Sequence, residues 1–226
     1  MNLDIKQLIE ELQSEDEADR RYAAEDLGEL GAAEAIPHLV KALEDPSVGV
    51  REAATDALIA IGGEEVVRAV IPLLYSENPP LRNYATEILE HTGKDAPGEI
   101  MKLCESPSVD VRKFALDILG NIGEVQRLES LEPIIRCLQD EDVNVAGAAA
   151  EALGKIGDPE VIPILTRLLD DKLWLQCNAI NAIAQIGGKR AEQALESVQV
   201  ETLSNEARYF YQMAMEKLKS ERREIV

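Results

Sequence analysis

The stretch DPSVGVREAATDALIAIGG, Asp45 to Gly63, returns further on as SPSVDVRKFALDILGNIGE, Ser106 to Glu124. The copies share a turn, a Val-Arg pair, an alanine, a leucine, an isoleucine and a glycine. Working outward from the arginine, matching positions fall at Arg20, Arg51, Arg82, Arg112, Ala146, Gln176 and Arg208, spaced 30 to 34 residues apart. A fixed period in this range marks a solenoid.

The positions around this anchor have a physical reading. Three residues after it stand Ala23, Ala54, Ala85, Ala115, Ala149, Ala179 and then Tyr211. Seven after it stand Leu27, Leu58, Leu89, Leu119, Leu153, Ile183 and Met215; ten after it come Leu30, Ile61, Thr92, Ile122, Ile156, Ile186 and Leu218. With the residue before the anchor, these lie on one helical stripe. Alanine in its middle lets a neighbouring helix come close. Glycine follows at Gly31, Gly62, Gly93, Gly123, Gly157 and Gly187, suited to the left-handed residue that ends many helices. Asp16, Ser47, Asn78, Ser108, Asp142 and Ser204 precede the anchors as N-caps, with Lys172 the exception. Each unit therefore holds a helix of roughly 14 residues.

A first helix precedes it, with Pro37, Pro133 and Pro163 near its start. Pro72 falls later in its helix and predicts a kink or a shortened helix. Extra residues around EVQRLES predict a longer turn before the fifth unit.

Composition limits the functions open to the chain. Hydrophobic residues make up 46% of 226, aromatics 4%, and the formal net charge is −20. That charge disfavours nucleic acid and anionic membrane as partners. No apolar run reaches the roughly 18 residues of a membrane span, and the start carries no secretory pattern. Cys104, Cys137 and Cys177 are scattered, which reads as reduced thiols in the cytoplasm.

Together these positions resemble HEAT repeats, specifically the short bacterial and archaeal PBS-lyase HEAT-like kind. The resemblance covers the whole chain as one domain, residues 1–226, in units near 1–33, 34–64, 65–95, 96–125, 126–158, 159–189 and 190–226. It implies an all-α, right-handed α-solenoid of about seven helix pairs, whose second helices line a concave face. It also implies a ladder in which an Asp six residues before the anchor bonds the Arg of a neighbouring unit. Those places hold Ser14, Asp45, Ser76, Ser106, Asp140, Asp170 and Thr202. With Ala146 and Gln176 at two anchors, the ladder is expected to break in units five and six.

Catalysis finds little support. There is no zinc-type Cys/His spacing, phosphate loop or nucleophile motif. The His-Glu pairs that deoxyhypusine hydroxylases use for iron are absent, since Leu39 follows His38 and Thr92 follows His91. No cofactor or metal is implied. Two candidate surfaces remain. Five residues after the anchors runs an acidic row, Glu25, Asp56, Glu87, Asp117 and Glu151, either a groove for a basic partner or a solvated face. Charges 10 Å apart in water repel by only about 0.4 kcal/mol, so such a row forms without a functional reason. The second surface centres on Trp174, the sole tryptophan, on an otherwise polar ridge. Cys177 and Asn181 follow on its face, and Tyr209, Gln212 and Met213 stand in the next unit. Either these six form a partner anchor, or Trp174 and Tyr209 cover the end of the core. Failure of the ladder in the same units favours the anchor.

Tyr22, Tyr84, Phe114 and Phe210 recur at one position, which reads as core or semi-core packing; Cys104 and Cys137 read as buried thiols. The expectation is a non-enzymatic, cytoplasmic scaffold or adaptor whose partner is another protein with a basic surface or segment, and neither nucleic acid nor membrane. The alternative, implied by the family, is an accessory subunit of a bilin lyase-type enzyme.

Overall fold

The computed structural model describes residues 4–224. Its helices follow the repeat: α1 (Ile5–Glu11), α2 (Glu17–Glu29), α3 (Ile36–Ala42), α4 (Val48–Ile61), α5 (Gly63–Val70), α6 (Pro79–Thr92), α7 (Pro97–Lys102), α8 (Val109–Val125), α9 (Glu132–Cys137), α10 (Val143–Ile156), α11 (Ile162–Asp171), α12 (Gln176–Ile186), α13 (Gly188–Glu196) and α14 (Asn205–Glu224). They make seven pairs and an all-α fold of the solenoid class, with no strand among the described residues. The chain divides into two compact units, residues 1–100 and 101–226.

In the first unit α2 packs on α4 and α4 on α6, while α3 packs on α5. In the second, α8 packs on α10, α10 on α12 and α12 on α14, while α11 packs on α13. Within each unit, neighbouring copies supply the core, as a solenoid requires. The expected stripe is that core. The repeated alanines from Ala23 to Ala179 are buried, and so are the leucines from Leu27 to Leu153. Burying each such leucine contributes about 2 kcal/mol before chain entropy is counted.

The second helices approach through a feature that periodicity did not reveal, a glycine set against an alanine. A Cβ on Gly28 would lie 2.7 Å from Ala57 Cα, one on Gly120 3.1 Å from Ala152 Cα, and one on Gly154 3.0 Å from Ala182 Cα. Backbones there almost touch.

Several expectations need correction. Gly62 and Gly157 end their helices with φ of 60° and 73°, a region costly for other residues. Gly93 instead continues into a 3-10 turn, and Gly123 lies inside α8, where a side chain would collide with Ile156. Leu30 falls one residue beyond α2 and is 45% exposed. Tyr22 is 54% exposed, its ring covered by Arg21, whose guanidinium carbon is 4.8 Å from the ring centroid; Tyr84, Phe114 and Phe210 are half-buried. Pro72 shortens its helix as expected. α5 stops at Val70, and a 3-10 turn carries Ile71–Tyr75. The longer turn appears between Val125 and Glu132.

Candidate partner-binding ridge

The ladder positions the second helices. In the first unit Arg20 donates to the carbonyl of Ser14 at 2.9 Å and to both oxygens of Asp45 at 2.7 and 3.0 Å. Arg51 donates to the Asp45 carbonyl at 2.6 Å and, because Ser76 replaces the next Asp, to the Tyr84 hydroxyl at 3.3 Å. In the second unit Arg112 donates to the carbonyl of Ser106 at 2.9 Å and to both oxygens of Asp140 at 2.7 and 2.9 Å. These guanidiniums hold the Asp45 and Asp140 carboxyls below their ordinary range.

The arginine–aspartate ladder breaks at Ala146 and Gln176, as expected, and other side chains link the copies there. Gln176 is buried, its amide donating to the Leu169 carbonyl at 2.7 Å while its oxygen accepts the Ser204 N–H at 3.0 Å. At the Leu138 carbonyl, where Ala146 supplies no donor, Lys172 Nζ donates at 2.9 Å. Polar links between copies therefore persist in these units. Because other links replace the ladder there, its break does not by itself favour a partner anchor.

Lys172 also shapes the ridge. A lysine has no acceptor with which to cap a helix. Here α12 begins only at Gln176, after a 3-10 turn over Leu173–Leu175 that carries Trp174. The indole is 46% exposed, with Lys172 Nζ 5.1 Å from its ring centroid.

The acidic row differs between the units. In the first, Glu25, Asp56 and Glu87 are exposed, and Arg21 lies 3.4 Å from Glu25. In the second, Glu151 is exposed and 3.3 Å from Lys155, while Asp117 is half-buried. Burial pushes the Asp117 carboxyl up, opposed by Lys113 and Lys155 and reinforced by Glu151.

In the second unit the two candidate surfaces meet. Asp117, Glu151 and Trp174 line one depression of about 380 Å³, together with Lys113, Val143, Asn144, Gly147, Ala148 and Asn178. Sequence reasoning named the carboxylates and the indole separately. It missed Asn178 and Lys113. The available signal was Ala148 standing where Tyr84 and Phe114 stand in other units, leaving space.

The remaining predicted residues lie elsewhere. Cys177 is half-buried, and burial followed by Glu206 pushes its thiol up. Asn181, Gln212 and Met213 are exposed. Tyr209, 61% exposed, meets Phe210 edge-on at 6.0 Å. Neither Trp174 nor Tyr209 is a buried cover. Among the described residues, no three His, Cys, Asp or Glu side chains come together as a metal site, and no helix is long and apolar enough to cross a membrane.

The chain is similar to several known proteins. A HEAT repeat-containing taxis protein of Halobacterium salinarum is 34% identical over 74% of this chain and 38% of its own length. The phycocyanobilin lyase subunit alpha of a Nostoc species is 28% identical over 83% of this chain and 64% of its own. This chain thus spans less than two thirds of either relative. A solved complex of CpcE and CpcF of phycocyanin lyase from Nostoc overlays with a TM-score of 0.41 at 24% identity, covering 96% of each chain. The lyase relative agrees with the PBS-lyase HEAT-like resemblance. Residues 5–90 and 97–176 match the family model for HEAT repeats, and the chain belongs to that family.

Proposed function

We propose that this protein is a non-catalytic scaffold or adaptor of the bacterial or archaeal cytoplasm, and that its second-helix ridge takes a basic segment of another protein. The observation that carries this reading is the depression in which Trp174 stands with Asp117 and Glu151. The indole offers an apolar wall to the methylene stem of a lysine or arginine, and the carboxylates receive its charge. A cation arriving beside Asp117 offsets the burial that raises its carboxyl. At longer range the net charge of −20 attracts basic partners and raises their association rate.

Because Trp174 is the sole tryptophan, its fluorescence reports the site directly. A lysine- and arginine-rich peptide is expected to change that emission saturably, less so as salt rises, and a glutamate-rich peptide to leave it unchanged. Emission indifferent to both removes the reading. Trp174→Ala with Tyr209→Ala is expected to weaken capture of a labelled basic peptide and leave the helical circular dichroism intact. Parallel loss of both signals assigns the pair to the fold instead.

A second reading rests on the lyase relatives, which match 83% and 80% of this chain at 28% and 25% identity. On it, the protein is an accessory subunit of a bilin lyase-type enzyme. Titration with a linear tetrapyrrole separates the two, since the accessory shifts the pigment's visible absorbance and the scaffold leaves it as in buffer.

A further inference from the structure

Cys104 and Cys137 are distant in sequence but adjacent in the second unit. Cys104 lies in the 3-10 turn Leu103–Glu105 that follows α7, and Cys137 is the last residue of α9. Successive first helices thus end side by side. The Cys137 Sγ lies 3.7 Å from the carbonyl oxygen of Cys104. Their sequence neighbours are joined as well, with Arg136 3.1 Å from Glu105. Arg112 ties the same two segments once more, through Ser106 and Asp140. Three contacts therefore hold the two thiols in register. Each cysteine is 5% exposed, open only to a very small reagent.

We infer that Cys104 and Cys137 form a modification site, a dithiol that a small peroxide closes to a disulfide, tying the fourth helix pair to the fifth. Roles within the pair follow from their surroundings. A hydrogen bond from Cys104 holds the Cys137 thiol below its ordinary range, against burial and the Asp140 carboxylate and with Arg112 and Arg136 helping. The same hydrogen bond, and burial with it, push Cys104 up. Cys137 stands next to Arg136 and Cys104 next to Glu105, so Cys137 is the sulfur that attacks as the thiolate. Its sulfur bonds one peroxide oxygen, the O–O bond breaks, and the departing hydroxide takes up the Cys137 proton as water. The sulfenic acid left on Cys137 is then attacked by the Cys104 sulfur. The S–O bond breaks, and its hydroxide leaves as a second water with the Cys104 proton. Two thiols are oxidised, one peroxide is reduced to two waters, and one disulfide remains. Cys177 lies on α12 and takes no part.

The test uses the full chain carrying Cys177→Ser, treated with hydrogen peroxide and then denatured in a thiol-alkylating reagent. The expected product has lost about 2 Da, takes no alkyl group and yields a peptide linking Cys104 to Cys137. Its melting temperature is expected to rise by about 5–10 °C, reversibly on adding dithiothreitol. Cys104→Ser is expected to leave a dimedone-reactive sulfenic acid at Cys137 and no peroxide-dependent melting shift. Oxygen additions on either cysteine without a linking peptide overturn the inference, as do disulfides only between molecules. The peptide map needs neither cysteine of the pair altered, so it decides even if Cys104→Ser folds poorly.

Discussion

The two compact units run the same repeat and put it to different use. In residues 1–100 the ridge carries three exposed carboxylates, with an aromatic residue at Tyr22 and Tyr84, and guanidiniums make the links between copies. In residues 101–226 an amide at Gln176 and an ammonium at Lys172 take over two of those links. Ala148 stands where Phe114 stands one copy earlier, and the ridge opens into a depression with an indole wall. What separates the units is a handful of residues outside the alanine–leucine stripe. The buried alanine–leucine stripe is common to both, so local chemistry changes while the core does not.

The comparison can be broken most forcefully at its joints. Gln176→Ala leaves the buried Leu169 carbonyl and the half-buried Ser204 N–H without their partner and is expected to cost about 3 kcal/mol in urea denaturation. Arg51→Ala, whose link in the first unit is partly exposed, is expected to cost about 1 kcal/mol. Equal costs would erase the distinction. Next come the helix crossings. Gly28→Ala meets backbone at 2.7 Å and is expected to cost about 2 kcal/mol. Gly120→Ala, with 3.1 Å to Ala152 Cα, is expected to cost less than about 1 kcal/mol, since helix propensity offsets part of the strain. The reverse order in thermal melts contradicts the distances.

A smaller effect is expected in recognition. Asp117→Asn with Glu151→Gln should weaken a basic peptide about tenfold, or about 1.4 kcal/mol, while Glu25→Gln with Asp56→Asn changes it less than about twofold. Similar losses in fluorescence titration would make the whole acidic row the attractor, and the depression irrelevant. The smallest effect concerns acid. Asp45 and Asp140 have carboxyls lowered in the fold, so their stabilisation is complete above the unfolded value near pH 4 and is lost as pH falls through the lowered folded values. Asp45→Asn and Asp140→Asn should each flatten the fall of melting temperature below about pH 4. A slope identical to that of the unaltered protein would deny the ion pairs this role.

Much of the fold was legible because the repeat wrote it seven times. Alanine at Ala54 and Ala115, or leucine at Leu58 and Leu119, is informative once it recurs in phase. The site was legible only in pieces. Trp174 announced itself by being unique, but its neighbours come from three units, at positions that vary without a rule. Residues far apart in sequence, such as Asp117 and Asn178, meet only when the copies stack. Two readings failed because they treated a residue type as a role. Gln176 reads as a missing arginine, although an amide both donates and accepts. Gly123 was taken for a helix stop, although it makes room for Ile156.

Glycine facing alanine between successive helices leaves little slack, because no flexible side chain separates the backbones. Substitution is therefore penalised along the inner seam and cheap along the outer one. The residues free to drift are those a visiting molecule would touch. Such a protein can exchange one associate for another over evolutionary time without ever risking its own architecture.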